Sequence, residues 1–142
     1  MILLDTNIIS EPLKAAGNAN VLAWIDAQIV ETLYLSTISL AELRFGIAAL
    51  PEGKRRDMLH SSLEQRVLPL FAGRILPFDD PASQSYAMLR SRARAAGLAI
   101  APADGYIAAI AATHGFAVAT RDTSPFDAAG LTVLNPWTWH AH

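Results

Sequence analysis

The chain has 142 residues and a mass of 15.3 kDa, the size of one domain, so a second independent core is excluded and residues 1–142 are expected to form a single unit. Apolar residues make up 52% and charged residues 17%, below the usual charged share of about 25%, which excludes disorder and leaves apolar surface for self-association. Eleven Lys and Arg against thirteen Asp and Glu give a net charge of −2, so the molecule as a whole does not attract polyanions and any nucleic-acid contact must be local.

The chain opens with Met1-Ile2-Leu3-Leu4 running directly into Asp5. It has neither the basic flank nor the long apolar run of a signal peptide, and reads as a first strand. Further short apolar runs at 33–35, 74–78, 117–119 and 132–134 lack clean alternation. They therefore read as strands covered on both faces and are expected to be parallel. Between them lie helix-length segments with apolar residues at three- and four-residue spacing, such as Val21, Leu22, Ile25 and Ile29, the pattern of a crossover helix lying on a sheet. Asn20 is expected to cap the helix that begins at Val21. Pro51 separates a helix ending near Leu50 from one rich in Lys54, Arg55 and Arg56, which Pro69 is expected to stop. Pro81 suits the first turn of a helix over 82–96 ended by Gly97, and Pro102 the first turn of one ended by Gly115. Trp137 and Trp139, after Pro136, are expected to fasten the C-terminal segment. The expected architecture is α/β, with helices on both faces of a parallel sheet. No apolar stretch approaches the ~18 residues of a membrane span, so the expected location is the cytoplasm.

Four carboxylates stand at the ends of these elements. Asp5 follows the first strand and Asp122 follows the fourth after Thr120 and Arg121, so both leave the carboxyl edge of a parallel sheet, where open α/β sheets bind ligands. Either residue alone reads equally as a turn or cap. Asp104 lies in a first helical turn with Ile107, Ala108 and Ala111 at i+3, i+4 and i+7, and Glu42 stands at the same spacings from Phe45, Gly46 and Ala49. Both acids are therefore expected on apolar, inward faces. The ordinary explanations are a capping box of Ser39 with Glu42 and a favourable helix-dipole charge for Asp104, worth about 0.3–1 kcal/mol.

Gathered in one cleft, four carboxylates repel one another and call for a cation. The chain has no Cys, which excludes thiolate sites, disulfides and cysteine nucleophiles. None of His60, His114, His140 and His142 stands where a ligand is needed. Oxygen-only ligands favour Mg²⁺ or Mn²⁺, and the chemistry such a centre supports is phosphoryl transfer by an attacking water. Thr6, Asn7 and Thr120 stand where they can orient the carboxylates, and Arg121 where it can contact a phosphate. Arg90 and Arg94 share a helix face at i, i+4, as a phosphate track or as a solvated surface. No G-x-G-x-x-G or P-loop is present, which removes the main support for a nucleotide-cofactor fold.

The residues now assembled carry a family resemblance: Met1-Ile2-Leu3-Leu4-Asp5-Thr6-Asn7 with Ser10-Glu11-Pro12-Leu13, Ala41-Glu42, and Leu68-Pro69-Leu70-Phe71-Ala72-Gly73-Arg74-Ile75-Leu76-Pro77-Phe78. These are followed by Ala103-Asp104-Gly105-Tyr106-Ile107-Ala108-Ala109, Thr120-Arg121-Asp122 and Asn135-Pro136-Trp137. The whole chain resembles a PIN-domain protein of the VapC type, and within that group the FitB-like subgroup. The resemblance implies a three-layer PIN fold and a metal-dependent endoribonuclease that acts as the toxin of a type II toxin–antitoxin pair. It also implies an acidic centre of Asp5, Glu42, Asp104 and Asp122, a homodimer, and a small antitoxin whose tail occupies the cleft while its other domain binds operator DNA. One departure is visible. Many relatives carry an Asp just before the Phe that follows this segment, whereas here Ser124-Pro125-Phe126 precedes Asp127.

Two other readings compete. A PIN-fold binding module would serve mainly to strengthen the antitoxin's hold on DNA. A phosphatase or receiver domain would use Asp5 or the Asp79-Asp80 pair, but Asp5-Thr6-Asn7 lacks the D-x-D arrangement.

Overall fold

The computed structural model describes residues 1–140, so the reading of His142 lies outside the described residues. Five strands form one sheet in the order β3-β2-β1-β4-β5: β1 (Ile2–Leu4), β2 (Leu33–Ser36), β3 (Ile75–Leu76), β4 (Ala117–Ala119) and β5 (Val133–Leu134). Every pairing is parallel, with Leu3 opposite Tyr34 on one side and Val118 on the other. Parallel neighbours need crossovers. α1 (Thr6–Leu13) and α2 (Ala19–Asp26) join β1 to β2, α3 (Thr37–Ala48) and α4 (Lys54–Ser61) lead towards β3, α5 (Asp80–Ala95) and α6 (Pro102–His114) join β3 to β4, and α7 (Ser124–Ala128) joins β4 to β5.

Side chains alternate across a strand, and the two faces of β1 and β4 enter different cores. Leu3 and Val118 pack with Ala82, Leu89, Ile107, Ile110 and Phe126 from α5, α6 and α7. Leu4 and Ala119 pack with Ile8, Val21, Trp24, Leu40 and Leu43 from α1, α2 and α3. Burial on both faces is why the strands read as uninterrupted apolar runs. The result is the expected three-layer α/β arrangement, and no described helix is long and apolar enough to cross a membrane.

Several boundaries differ from expectation. Asn18, not Asn20, caps α2: its Oδ1 accepts from the backbone N–H groups of Asn20 (3.0 Å) and Val21 (3.2 Å), the donors a cap must satisfy. Asn20 lies in the first turn and sends Nδ2 to the Trp137 carbonyl at 2.9 Å. That bond, with Trp137 and Trp139 packed partly buried against the core, fastens the C-terminal segment as expected. The basic helix is not stopped by Pro69. Its α-bonding ends at Ser61, widens into a π turn over Ser62–Val67 and tightens into a 3₁₀ turn over Leu68–Phe71 that contains Pro69, where a missing N–H costs no bond. The third strand shrinks to Ile75–Leu76, and Phe78 joins an aromatic cluster with Tyr86 and Tyr106. Pro81 and Pro102 occupy first turns, and Gly115 ends α6 in the left-handed region at φ 69°, all as expected.

Candidate active site

The strand order reverses between β1 and β4, so the crevice at their carboxyl ends is the topological switch point of the sheet. Asp5 stands one residue beyond β1, with its N–H donating to the Ala119 carbonyl at 2.9 Å and its Oδ1 accepting from the Thr6 N–H at 2.8 Å. Thr120 stands one residue beyond β4 and is fully buried. Its hydroxyl donates to Asp5 Oδ2 at 2.8 Å and accepts from the Asp122 N–H at 3.1 Å. Asn7 Nδ2 donates to Thr120 Oγ1 at 3.3 Å and to Asp5 Oδ2 at 3.4 Å, while Asn7 Oδ1 accepts from the Arg121 N–H at 3.2 Å. Thr120 and Asn7 therefore staple the two strand ends together and fix the Asp5 carboxylate between them.

Glu42 reaches this centre by a route the periodicity did not indicate. The cap of α3 is Ser36, whose buried hydroxyl accepts from the Ser39 N–H at 3.0 Å. Ser39 lies inside the helix with its own hydroxyl unpartnered, so the alternative explanation of Glu42, a capping box with Ser39, does not hold. Nor does Glu42 point inward. It is exposed, as are Phe45 (74%), Gly46 and Ala49 on its face. Of these, Glu42 and Gly46 border a groove of about 770 Å³ lined also by Thr6, Leu13, Leu43, Ile47, Met58 and Leu59, whereas Phe45 and Ala49 lie outside it. The Thr6 hydroxyl donates to Glu42 Oε1 at 3.0 Å, which ties Glu42 to the residue next to Asp5. Asp104 meets expectation: it is half-buried at the start of α6, whose residues Ile107, Ala108 and Ala111 are buried.

The electrostatics of the four acids are those of an uncompensated cluster. Asp5 is only 6% exposed. Burial pushes its carboxyl above the ordinary range, the bonds from Thr120 and Thr6 pull it back, and the charges of Glu42 and Asp122 raise it again. Asp104 is also raised, first by burial and then by Asp5 and Asp122. Among the described residues the ion pairs are Lys14–Glu11, Arg44–Glu64 and Arg56–Glu52, and none reaches the cluster. Also among the described residues, no group of three or more His, Asp or Glu side chains is arranged to hold an ion as it stands. The donor chemistry nevertheless fits a hard divalent cation: carboxylate and hydroxyl oxygens, a buried anion, and no basic side chain paired with it.

The remaining candidates separate clearly. Arg121 is exposed beside Asp122, and its guanidinium carbon lies 5.3 Å from the Trp137 ring centroid. Asp127 is exposed in α7. Asp79 caps α5 by accepting from the Ala82 N–H at 3.1 Å, and Asp80 accepts from Gln84 at 3.1 Å, so that pair serves a helix start. His60, His114 and His140 are exposed. Sequence reasoning missed the role of Ser36 in holding the helix of Glu42, although a Ser directly after a strand was the available signal. It also missed the packing of Tyr86 and Arg90 against Gly105.

A parallel sheet with order 3-2-1-4-5 and carboxylates collected at its switch point defines an acid-centred α/β domain. The PIN domain model matches residues 2–131, and the chain belongs to the PIN-domain family. It is 64% identical to VapC ribonuclease Y4jK of Sinorhizobium fredii over 137 residues, covering 96% of this chain and 98% of that one. It is 58% identical to Toxin FitB of Neisseria gonorrhoeae over 137 residues, covering 96% and 99%. Among solved structures it is similar to FitAB bound to an IR36 DNA fragment, with a TM-score of 0.95 at 56% identity over 100% of this chain and 99% of that one.

Proposed function

We propose that this chain is the toxin of a type II toxin–antitoxin pair and a Mg²⁺- or Mn²⁺-dependent endoribonuclease that hydrolyses RNA phosphodiester bonds. The observation that carries the reading is the set of acids at the β1–β4 switch point, two of them raised by burial and mutual repulsion and none paired with a basic side chain among the described residues. The names of the relatives, a VapC ribonuclease and Toxin FitB, support it.

Asp5, Asp104 and Asp122 would hold the divalent ion directly or through water, and Glu42 would complete the set or orient the attacking water. A bound ion supplies charge neutralisation at phosphorus and a more acidic water. Thr120 and Asn7 orient Asp5, and Thr6 orients Glu42. Arg121 is free to leave Trp137 for a phosphate oxygen. The assembly would be a homodimer bound by a FitA-like or VapB-like antitoxin, with operator DNA contacted through the antitoxin. The solved structure of FitAB bound to a DNA fragment supports the association with an antitoxin and DNA.

Purified chain, free of antitoxin, incubated with total RNA with and without Mg²⁺ tests the reading. Metal-dependent fragments are expected, and they should vanish in Asp104→Asn. A second reading, a binding module with little nuclease activity, is favoured by the lack of a preformed three-acid ion site among the described residues. Intact RNA under every metal condition, together with tighter operator binding by the antitoxin, would decide for it.

A further inference from the structure

The face of α5 that packs against the start of α6 carries a cationic and aromatic depression separate from the acids. Its volume is about 390 Å³ and its lining includes Tyr86, Arg90, Ser91, Arg94, Leu98 and Ile100, near the lower end of the roughly 300–1,000 Å³ typical of small-ligand pockets. Neither Arg90 nor Arg94 has an acidic partner among the described residues. Arg90 is already held in place: its Nη1 donates to the Tyr86 hydroxyl at 2.7 Å, and its guanidinium carbon lies 5.4 Å from the Tyr86 ring centroid. One of its five N–H donors is thus occupied, and the rest remain for an anion. A guanidinium ordered in advance loses less freedom on binding and suits the two-point recognition of a phosphate.

The position of this arginine is tied to the acid cluster. A Cβ at Gly105 would lie 2.9 Å from Tyr86 Cε2 and 3.5 Å from Arg90 Cδ, so only a glycine lets α5 approach the residue that follows Asp104 this closely. Tyr106, one residue further on, stacks on Tyr86 at 4.8 Å between ring centroids. A molecule of net charge −2 must draw an anionic strand by local cations. Arg121 is next to Asp122 in the chain, and Arg90 packs against Gly105, the residue that follows Asp104. We propose that the α5 depression binds one nucleotide of a single-stranded RNA substrate, Arg90 contacting its phosphate and Tyr86 packing along its ribose or base. This inference rests on the ribonuclease reading above.

The test measures binding of a short fluorescein-labelled single-stranded RNA of mixed sequence across a range of salt, in an uncleaving Asp104→Asn background. Arg90→Gln should weaken binding about tenfold and reduce the slope of log K against log salt by about 0.7, the value of one lost phosphate contact. Arg92→Gln removes the same charge from the same helix on the side facing Met88 and Gln84, and should leave the slope unchanged. Tyr86→Phe keeps the ring but frees Arg90, and in the otherwise native chain should raise KM while sparing kcat. Equal losses in the Arg90 and Arg92 variants, or wild-type binding by Arg90→Gln, would overturn the assignment. Cleavage of total RNA by the native chain, run in parallel, separates the two levels. A native chain that cuts RNA while Arg90→Gln binds normally defeats this inference alone, whereas one that neither cuts nor binds RNA defeats the ribonuclease reading with it.

Discussion

At the scale of single side chains, the Thr120 hydroxyl ties the site together from a fully buried position, meeting Asp5, Asn7 and the Asp122 backbone. Replacing it with the isosteric Val leaves the Asp122 N–H and one Asp5 oxygen short of a partner. Thr120→Val should cost about 1–3 kcal/mol in urea denaturation, with Thr120→Ser recovering most of the loss. Asp104 behaves oppositely. Its place in the first turn of α6 favours a negative charge by about 0.3–1 kcal/mol, but burial and the charges of Asp5 and Asp122 disfavour it and prevail, because its carboxyl is raised. No side-chain hydrogen bond of Asp104 is lost on amidation among the described contacts. Asp104→Asn should therefore abolish cleavage, at least about 100-fold, yet melt at a higher temperature than the native chain in EDTA. A variant that melts lower without metal would contradict the electrostatic account.

At the scale of elements, Ser36 decides where α3 begins and so where Glu42 stands. Its buried hydroxyl satisfies the Ser39 N–H, and Ser36→Ala should cost about 0.5–2 kcal/mol by thermal or chemical unfolding. Rotational drift at the start of the helix should also weaken the Thr6–Glu42 bond, and with it metal-dependent activity. The same helix shows what sequence could and could not disclose. The spacing of Glu42, Phe45, Gly46 and Ala49 identifies a continuous face, and that face exists, but periodicity does not say whether core or solvent covers it, and here all four residues are exposed. For α6 the same inference succeeded, because Ile107, Ala108 and Ala111 meet the sheet directly. The strand ends and Asp5, Asp104 and Asp122 were legible, since a parallel sheet forces them to one edge. The short α1 and α7 were not, since one holds a Pro and the other spans five residues, too short for a period to register. Asn18 and Asn20 both suit a cap; Asn18 takes the role, and the Asn20 amide is engaged instead by the Trp137 carbonyl, a partner 117 residues away that local sequence does not disclose.

At the scale of the whole molecule, the cluster links stability to pH in a direction opposite to most carboxylates. Asp5 and Asp104 hold their protons more tightly in the folded chain than in the unfolded one. The folded state therefore binds more protons between the ordinary carboxylate range and the raised values, and metal-free stability falls as pH rises through that window. The Arg44–Glu64 pair pulls the other way: Glu64 is lowered, so its contribution is present above the ordinary range and lost as pH falls. As a partly exposed pair it is the smaller influence. A divalent ion reverses the larger effect, because it binds the deprotonated carboxylates and neutralises their repulsion. Melting temperatures recorded against pH should thus fall through this window in EDTA and rise with Mg²⁺, the two curves separating as pH increases. Asp104→Asn should bring them together by removing one titrating ligand. Parallel curves for the native chain at every pH would mean that the ion, if it binds, does so away from Asp5 and Asp104.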